Sequence, residues 1–227
     1  MTMITLFNLF ITVLVYLFTR FLSKRYQSPL TNPVFLSTVI IIAILLMAHV
    51  SYDEYVPAKN MLTFLLGPAT VALALPIYKN RDILSKYLSA AFIGLFFGSV
   101  MTILSAVILA KIFHFSKVII LSFTVKSVTV PVATEIGKIV NGNLSLIAAV
   151  VIITGMIGAM FGLKFLQWFK IDHPFARGLS IGTIAHGIGT AEAVKEGEIQ
   201  GAVAGAAMGI AAVLTSFVIP YIIPYLL

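Results

Sequence analysis

Long apolar runs with few charges constrain this chain more than any other feature. Several reach the roughly 20 residues needed to cross about 30 Å of hydrocarbon. The clearest are Ile4–Leu22, Pro33–Val50, Leu88–Ala110, Leu144–Leu163 and Ala202–Ile219. Charged residues make up 10% of the sequence, whereas soluble domains carry about 25%. Inside a bilayer the backbone must satisfy its own polar groups, and helices do this within one segment. The sequence therefore predicts an all-α polytopic membrane protein.

The first run has no basic residue before it, and Arg20, Lys24 and Arg25 lie at or just beyond its end. That order predicts a retained transmembrane helix rather than a cleaved signal. The net charge of +7 comes from 15 Lys+Arg against 8 Asp+Glu. These basic residues sit mainly at the ends of apolar runs, where they meet lipid head groups and fix orientation. The bilayer is thus an expected partner and nucleic acid is not. With no cysteine, disulfides, thiolate catalysis and cysteine metal sites are excluded.

About eight hydrophobic segments can be drawn, at 4–22, 33–51, 58–78, 87–110, 118–140, 144–167, 175–195 and 199–226. The starts of segments five to eight follow those of one to four by 114, 111, 117 and 112 residues. This spacing suggests one membrane domain over 1–227, built from two related halves at about 4–110 and 118–226. In each half the third segment contains helix breakers, as expected around a transporter site. Eight simple crossings, with the N-terminus outside, would divide Lys and Arg 8 to 6 with Lys126 set aside. Letting segments three and seven enter and leave on one face gives 9 to 5 and makes the halves inverted; making segment five alone re-entrant also gives 9 to 5. The positive-inside rule therefore leans away from eight crossings and leaves these alternatives open. Glycines four apart, at Gly94/Gly98, Gly158/Gly162, Gly178/Gly182 and Gly201/Gly205/Gly209, predict close helix packing.

Four polar clusters fall within the apolar segments. Gly67, Pro68 and Thr70 read as a break followed by a new half-helix, whose free N–H groups would suit an anion. Lys126, Ser127 and Thr129 precede Pro131; a lysine with small hydroxyls beside a broken helix suits a carboxylate, the plainer alternative being a snorkelling lysine. His186, Gly187, Gly189, Thr190 and Glu192 form the third cluster, with Gly182 just before it. His186 is a candidate for proton coupling, as is Glu192, although Glu192 also fits a charged loop with Lys195. The plainer role for His186 is a neutral ring donating to a backbone carbonyl. Glu135 is set to pair with Lys138. The fourth cluster, Asn141-Gly142-Asn143, reads as a turn, and His49, His114 and His173 fall near segment ends. No HExxH or P-loop pattern occurs, so an enzyme is not expected, and neither a cofactor nor a bound metal is indicated.

The stretches Leu66–Pro76, Lys126–Ala133, Ala176–Leu179 and Gly182–Ala191 together resemble the LrgB/CidB family. Its bacterial members are often labelled antiholin-like or autolysis modulators. The family includes the larger subunit of pyruvate-transport pairs, and the plastid glycolate/glycerate translocator has a similar domain. The resemblance covers about residue 10 to the end. It implies a small LrgA/CidA-type membrane partner, a bacterial plasma-membrane location and short 2-hydroxy or 2-oxo monocarboxylates as substrate.

The expectation is an alternating-access monocarboxylate transporter of the pyruvate, glycolate, glycerate or lactate class, acting as a homo-oligomer. Its midplane site would draw on Gly67, Pro68, Thr70, Lys126, Ser127, Thr129, His186, Gly187, Gly189 and Thr190. The alternative is a holin/antiholin-like oligomer regulating murein hydrolase export and autolysis.

Overall fold

Short polar signals set where the helices begin. Thr2 caps the first helix through the amide of Thr5, and Asn32, followed by Pro33, caps the second through Val34 and Phe35. Ser51 and Glu54 cap the third reciprocally, as a capping box should; the amide and hydroxyl of Ser51 hold the Glu54 carboxyl below its ordinary value. Four helices end in the same way. His49, His114, Asn141 and Lys170 adopt φ of 53°, 54°, 59° and 56°. The amide after each bonds back to Leu45, Ala110, Gly137 or Leu166, the Schellman arrangement usually built on glycine. The Asn141 turn and the ends at His49 and His114 thus lie where the sequence put them.

The structure, a computed structural model, describes residues 2–26, 28–65, 68, 71–72 and 74–226. Among these the chain is all helical. The helices are α1 Met3–Arg25, α2 Pro33–Met47, α3 Tyr52–Phe64, α4 Ala74–Lys79, α5 Arg81–Lys86, α6 Leu88–Ile112, α7 Lys117–Thr124, α8 Val130–Ile139, α9 Leu144–Trp168, α10 Pro174–Glu196 and α11 Glu198–Leu226. Four are long and apolar enough to cross a membrane: α1, α6, α9 and Glu198–Ile223 of α11. The Pro33–Val50 run yields a helix of 15 residues, about 22 Å at 1.5 Å per residue and shorter than a full crossing. The outward faces are apolar, with Phe97 60%, Phe161 47% and Phe217 66% exposed. Such surfaces belong against lipid.

The chain divides into two units, Met1–Ala74 and Leu75–Leu227. In the first, buried polar groups tie α1 to its neighbours. Asn8 Nδ2 donates to Glu54 O at 3.0 Å, Thr12 shares a 2.9 Å hydrogen bond with Tyr55, and Thr19 donates to Pro33 O at 3.3 Å.

The second unit contains two helical hairpins. Arg177 Nε donates to Glu196 Oε1 at 2.8 Å, though the residues are 19 apart. A straight helix would hold them about 28 Å apart, so α10 folds back on itself. The reversal is at His186, whose φ of 39° and ψ of −137° interrupt the helix. The other hairpin joins α7 to α8. Ser122 Oγ accepts from the amide of Asn143, 21 residues on, at 2.9 Å; an unbroken helix would separate them by about 31 Å. Here the chain turns through Val125–Thr129.

The hairpins start from opposite ends of the unit. The base of the α10 hairpin meets the end of α9, where Arg177 donates to Leu163 O at 3.2 Å, and the beginning of α6, where Phe175 packs on Tyr87. The base of the α7–α8 hairpin meets the start of α9, beside Ile147, while Phe123 meets Phe115 just beyond the end of α6. Segments one and five, expected as counterparts, therefore differ: α1 is unbroken and α7–α8 turns back. Segments five and seven both turn back on themselves, a combination that the charge count did not weigh.

Candidate functional site

The depth of each hairpin can be read along α9. From Leu163, bonded by Arg177, to Val151, whose carbonyl meets His186 Nε2 at 3.0 Å, is about 18 Å of helix. From Asn143, at the base of the other hairpin, to Val151 is about 12 Å. Val151 shares one buried cluster with Val125 and Val128 of that second turn. The two turns thus reach the same level of α9, and together the arms span about 30 Å, the thickness of a hydrocarbon core.

At the α10 tip, a backbone carbonyl can only accept, so His186 Nε2 carries the proton. This is the plainer of the two roles the sequence offered for that ring. His186 and Thr190 are 4% and 2% exposed, and Thr190 Oγ1 donates to His186 O at 2.8 Å. A non-glycine residue at this φ costs about 1–3 kcal/mol and persists only where surroundings hold it. Glycines provide that hold. A Cβ on Gly155 would lie 2.6 Å from His186 Cε1, and one on Gly189 would lie 2.4 Å from Ala185 Cβ in the opposite arm. Gly189 therefore lets the arms close, whereas Gly187 is exposed at the tip. Glu192 sits about 9 Å further along the returning arm, paired with Lys195 at 2.7 Å.

The glycine pairs expected from spacing close around the same hairpin. A Cβ on Gly94 or Gly98 of α6 would meet Leu179 or Thr183, one on Gly162 or Gly158 of α9 would meet Ile181 or Ala185, and one on Gly182 would lie 2.2 Å from Ala204 O of α11. Gly209 is the departure: it faces open space and is not part of the contact.

The α7–α8 tip has different chemistry. Lys126 is half-buried, and its Nζ donates to Ser127 Oγ at 3.3 Å. Among the described residues no carboxylate pairs with it. Ser127 is 7% exposed. Thr129 occupies the N-cap of α8 without a side-chain capping bond, so the first-turn amides at the tip are uncapped. Beside Lys126 lies a groove of about 300 Å³ lined by Ala106, Leu109, Ala110, Phe113, Phe115 and Phe123. Glu135 pairs with Lys138 at 2.6 Å, near the base and away from the tip.

Of the remaining predicted site residues, Pro68 is helical and exposed and belongs to the first unit. Gly67 and Thr70 lie outside the described residues. Sequence reasoning passed over Ser99 on α6 and Thr215 on α11, which are 3% and 6% exposed. The only available signal was a hydroxyl recurring on an otherwise apolar helical stripe.

These features define an all-helical membrane protein with two opposed hairpins whose polar tips reach one level of a spanning helix. The particular family follows from comparison: residues 12–225 match the LrgB-like family, and the chain belongs to it. It is 36% identical over 186 residues to "Uncharacterized protein YwbG" of Bacillus subtilis (strain 168), covering 82% of this chain and 83% of the relative. It is 36% identical over 196 residues to "Uncharacterized protein YxaC" of the same strain, covering 86% and 85%. "Holin-like protein CidB" of Staphylococcus aureus (strain N315) is 29% identical over 190 residues, covering 84% and 83%. No solved structure matches this chain.

Proposed function

We propose that this protein is a secondary transporter of short monocarboxylates, a carrier rather than an enzyme, with its site between the two hairpin tips. The carrying observation is their convergence at Val151 from opposite ends of the unit. Helices interrupted at membrane depth survive where they are buried in protein or line a water-filled cavity. Uncapped amides at the start of α8 favour an anion, and Lys126 supplies a cation with no protein counter-ion among the described residues. Ser127, Thr129 and Thr190 supply hydroxyls, and His186 is the candidate to couple proton movement to the solute. Small hinge motions of either hairpin would open the site to one side at a time, as alternating access requires.

Orientation follows from charge. At the end of the second unit carrying the α10 base stand Lys79, Arg81, Lys86, Lys164, Lys170, Arg177 and Lys195; at the other stand Lys111, Lys117 and Lys138. Seven against three assigns the first end to the cytoplasm of a plasma membrane. The resemblance supports a small LrgA/CidA-type partner.

A second reading, regulation of murein hydrolases by a holin-like assembly, is supported by the CidB relatives' printed name. Proteoliposomes separate the two. The transporter reading predicts saturable uptake of radiolabelled pyruvate, glycolate or lactate, with partner and pH gradient varied, and its loss in Lys126→Ala. Absence of uptake under every condition, with cell-wall hydrolysis still responding to the protein in cells, would establish the holin-like reading instead.

A further inference from the structure

One buried hydroxyl in the second unit is left without a partner. Ser99 Oγ has no hydrogen-bond partner among the described residues, although Ser99 is 3% exposed. Neighbouring helical hydroxyls behave otherwise. Thr102, Thr183 and Thr190 each donate to a carbonyl three or four residues back, at 2.8, 2.6 and 2.8 Å. That back-bond is the usual way for a hydroxyl to satisfy itself inside a helix. Ser99 forgoes it, and burying an unsatisfied polar group is costly unless something else meets it.

Its position says what that is. The buried stripe of α6 runs Leu95, Ser99, Ile103. Leu95 packs with Ala207 and Ala211 of α11; Ile103 belongs to the cluster holding Val125, Val128, Val151 and Ile219. On α11, Thr215 falls midway between Ala211 and Ile219 and is buried. Ser99 and Thr215 are thus the polar steps of two facing stripes, between one apolar layer and the next. Adjacent Gly98 lies against Thr183 in the arm leading to His186, which puts this polar level beside the hairpin tips.

We infer that Ser99 and Thr215 are ligand-binding residues of α6 and α11, hydrogen-bonding the 2-oxygen of a short 2-oxo or 2-hydroxy monocarboxylate held between the tips. The inference rests on the transport reading. A hydroxyl can donate to a 2-oxo group and also accept from a 2-hydroxy group, so this pair accommodates both oxidation states. An acid lacking the 2-oxygen would leave it unpaired, the situation in which binding sites discriminate strongly.

The test compares pyruvate, lactate and propionate uptake in proteoliposomes containing wild type, Ser99→Ala, Thr215→Val and the exposed control Ser105→Ala. Wild type and Ser105→Ala are expected to favour pyruvate and lactate over propionate. Ser99→Ala should raise the KM for the first two about tenfold, leave propionate unchanged and melt no lower than wild type; Thr215→Val should shift preference in the same direction. Undiminished discrimination in both variants would overturn the inference while leaving transport intact. A clear fall in the Tm of Ser99→Ala would also overturn it, because the hydroxyl would then be serving the fold. If wild type carries none of the three acids, the transport reading fails and takes the inference with it.

Discussion

The two hairpins reach the same level of α9 by different means. The α10 hairpin reverses at a single strained residue, His186, between arms held by glycine contacts and by a partly buried ion pair at the base. The α7–α8 hairpin spreads its reversal over Val125–Thr129, surrounds it with valine and isoleucine, and closes its base through the Ser122 hydroxyl. One is close-packed around backbone; the other is cushioned by side chains and carries the unpaired lysine. Under the proposed function, a glycine-packed arm facing a cationic one suits a site that must hold an anion and release it. The contrast also shows that a re-entrant shape does not require one particular turn chemistry. It requires that both arms find partners at the same end of the unit.

The largest expected difference lies at the bases. The Arg177 and Glu196 side chains are 10% and 24% exposed, and Arg177 also serves Ile171 O and Leu163 O. Arg177→Met should cost about 2–4 kcal/mol, because it leaves the Ile171 and Leu163 carbonyls unmet and breaks a partly buried ion pair. Ser122→Ala, at the other base, should cost about 0.5–1.5 kcal/mol, the net worth of its bond to the amide of Asn143, an exposed residue. Thermal unfolding in one detergent would rank the two, and equal losses would erase the distinction drawn between the hairpins.

Packing comes next. Gly182→Ala places a Cβ 2.2 Å from Ala204 O, where backbone must move, and should cost about 1–3 kcal/mol or more. Gly209→Ala meets nothing within 4 Å and should gain about 0.5–1 kcal/mol from helix propensity. Parallel melting curves would check this pair.

A smaller effect is expected at the tip. His186→Gly relieves about 1–3 kcal/mol of backbone strain but loses a bond to Val151 O worth about 1 kcal/mol and opens a cavity where the buried ring packs on Gly155, a loss of about 3–5 kcal/mol for a buried aromatic ring. These terms largely offset, so its Tm should fall modestly while its uptake is lost. Undiminished uptake would mean that the imidazole is chiefly a structural strut. Smallest of all, His114→Gly, in the left-handed turn after α6, should gain up to about 1 kcal/mol, measurable as a modest rise in Tm.

Much of this architecture was legible in the sequence, and the reasons are local. Asn32-Pro33 and Asn141-Gly142-Asn143 carry their own capping and turn chemistry, so the starts at 33 and 144 fell in place, whereas the capping box of Ser51 and Glu54 opens α3 six residues before the segment expected from 58. Glycines four apart identified most of the faces that touch α10. Which segments fold back was not legible, because hydropathy reports burial and period but not direction. Whether 174–196 crosses or returns depends on Arg177 finding Glu196, a contact between residues 19 apart that no local pattern encodes. Glycine was also the expected place for the break, yet the positive φ falls on His186 while the glycines make room around it. Gly209 extends a pattern whose contact stops earlier. Ser99 and Thr215 escaped notice because a hydroxyl in an apolar helix ordinarily satisfies itself on the preceding turn, and sequence cannot show which one does not.

The central claim is that both hairpins return to the side they came from, on opposite faces of the membrane. The chain has no cysteine, so single substitutions report without background. Lys117→Cys and Lys138→Cys flank one hairpin; Asp172→Cys and Glu198→Cys flank the other. A membrane-impermeant maleimide applied to intact cells should label the first two and reach the second two only after permeabilisation. If Asp172→Cys and Glu198→Cys are labelled from opposite sides, or Lys117→Cys and Lys138→Cys are, that segment crosses the membrane and the opposed-hairpin account is wrong.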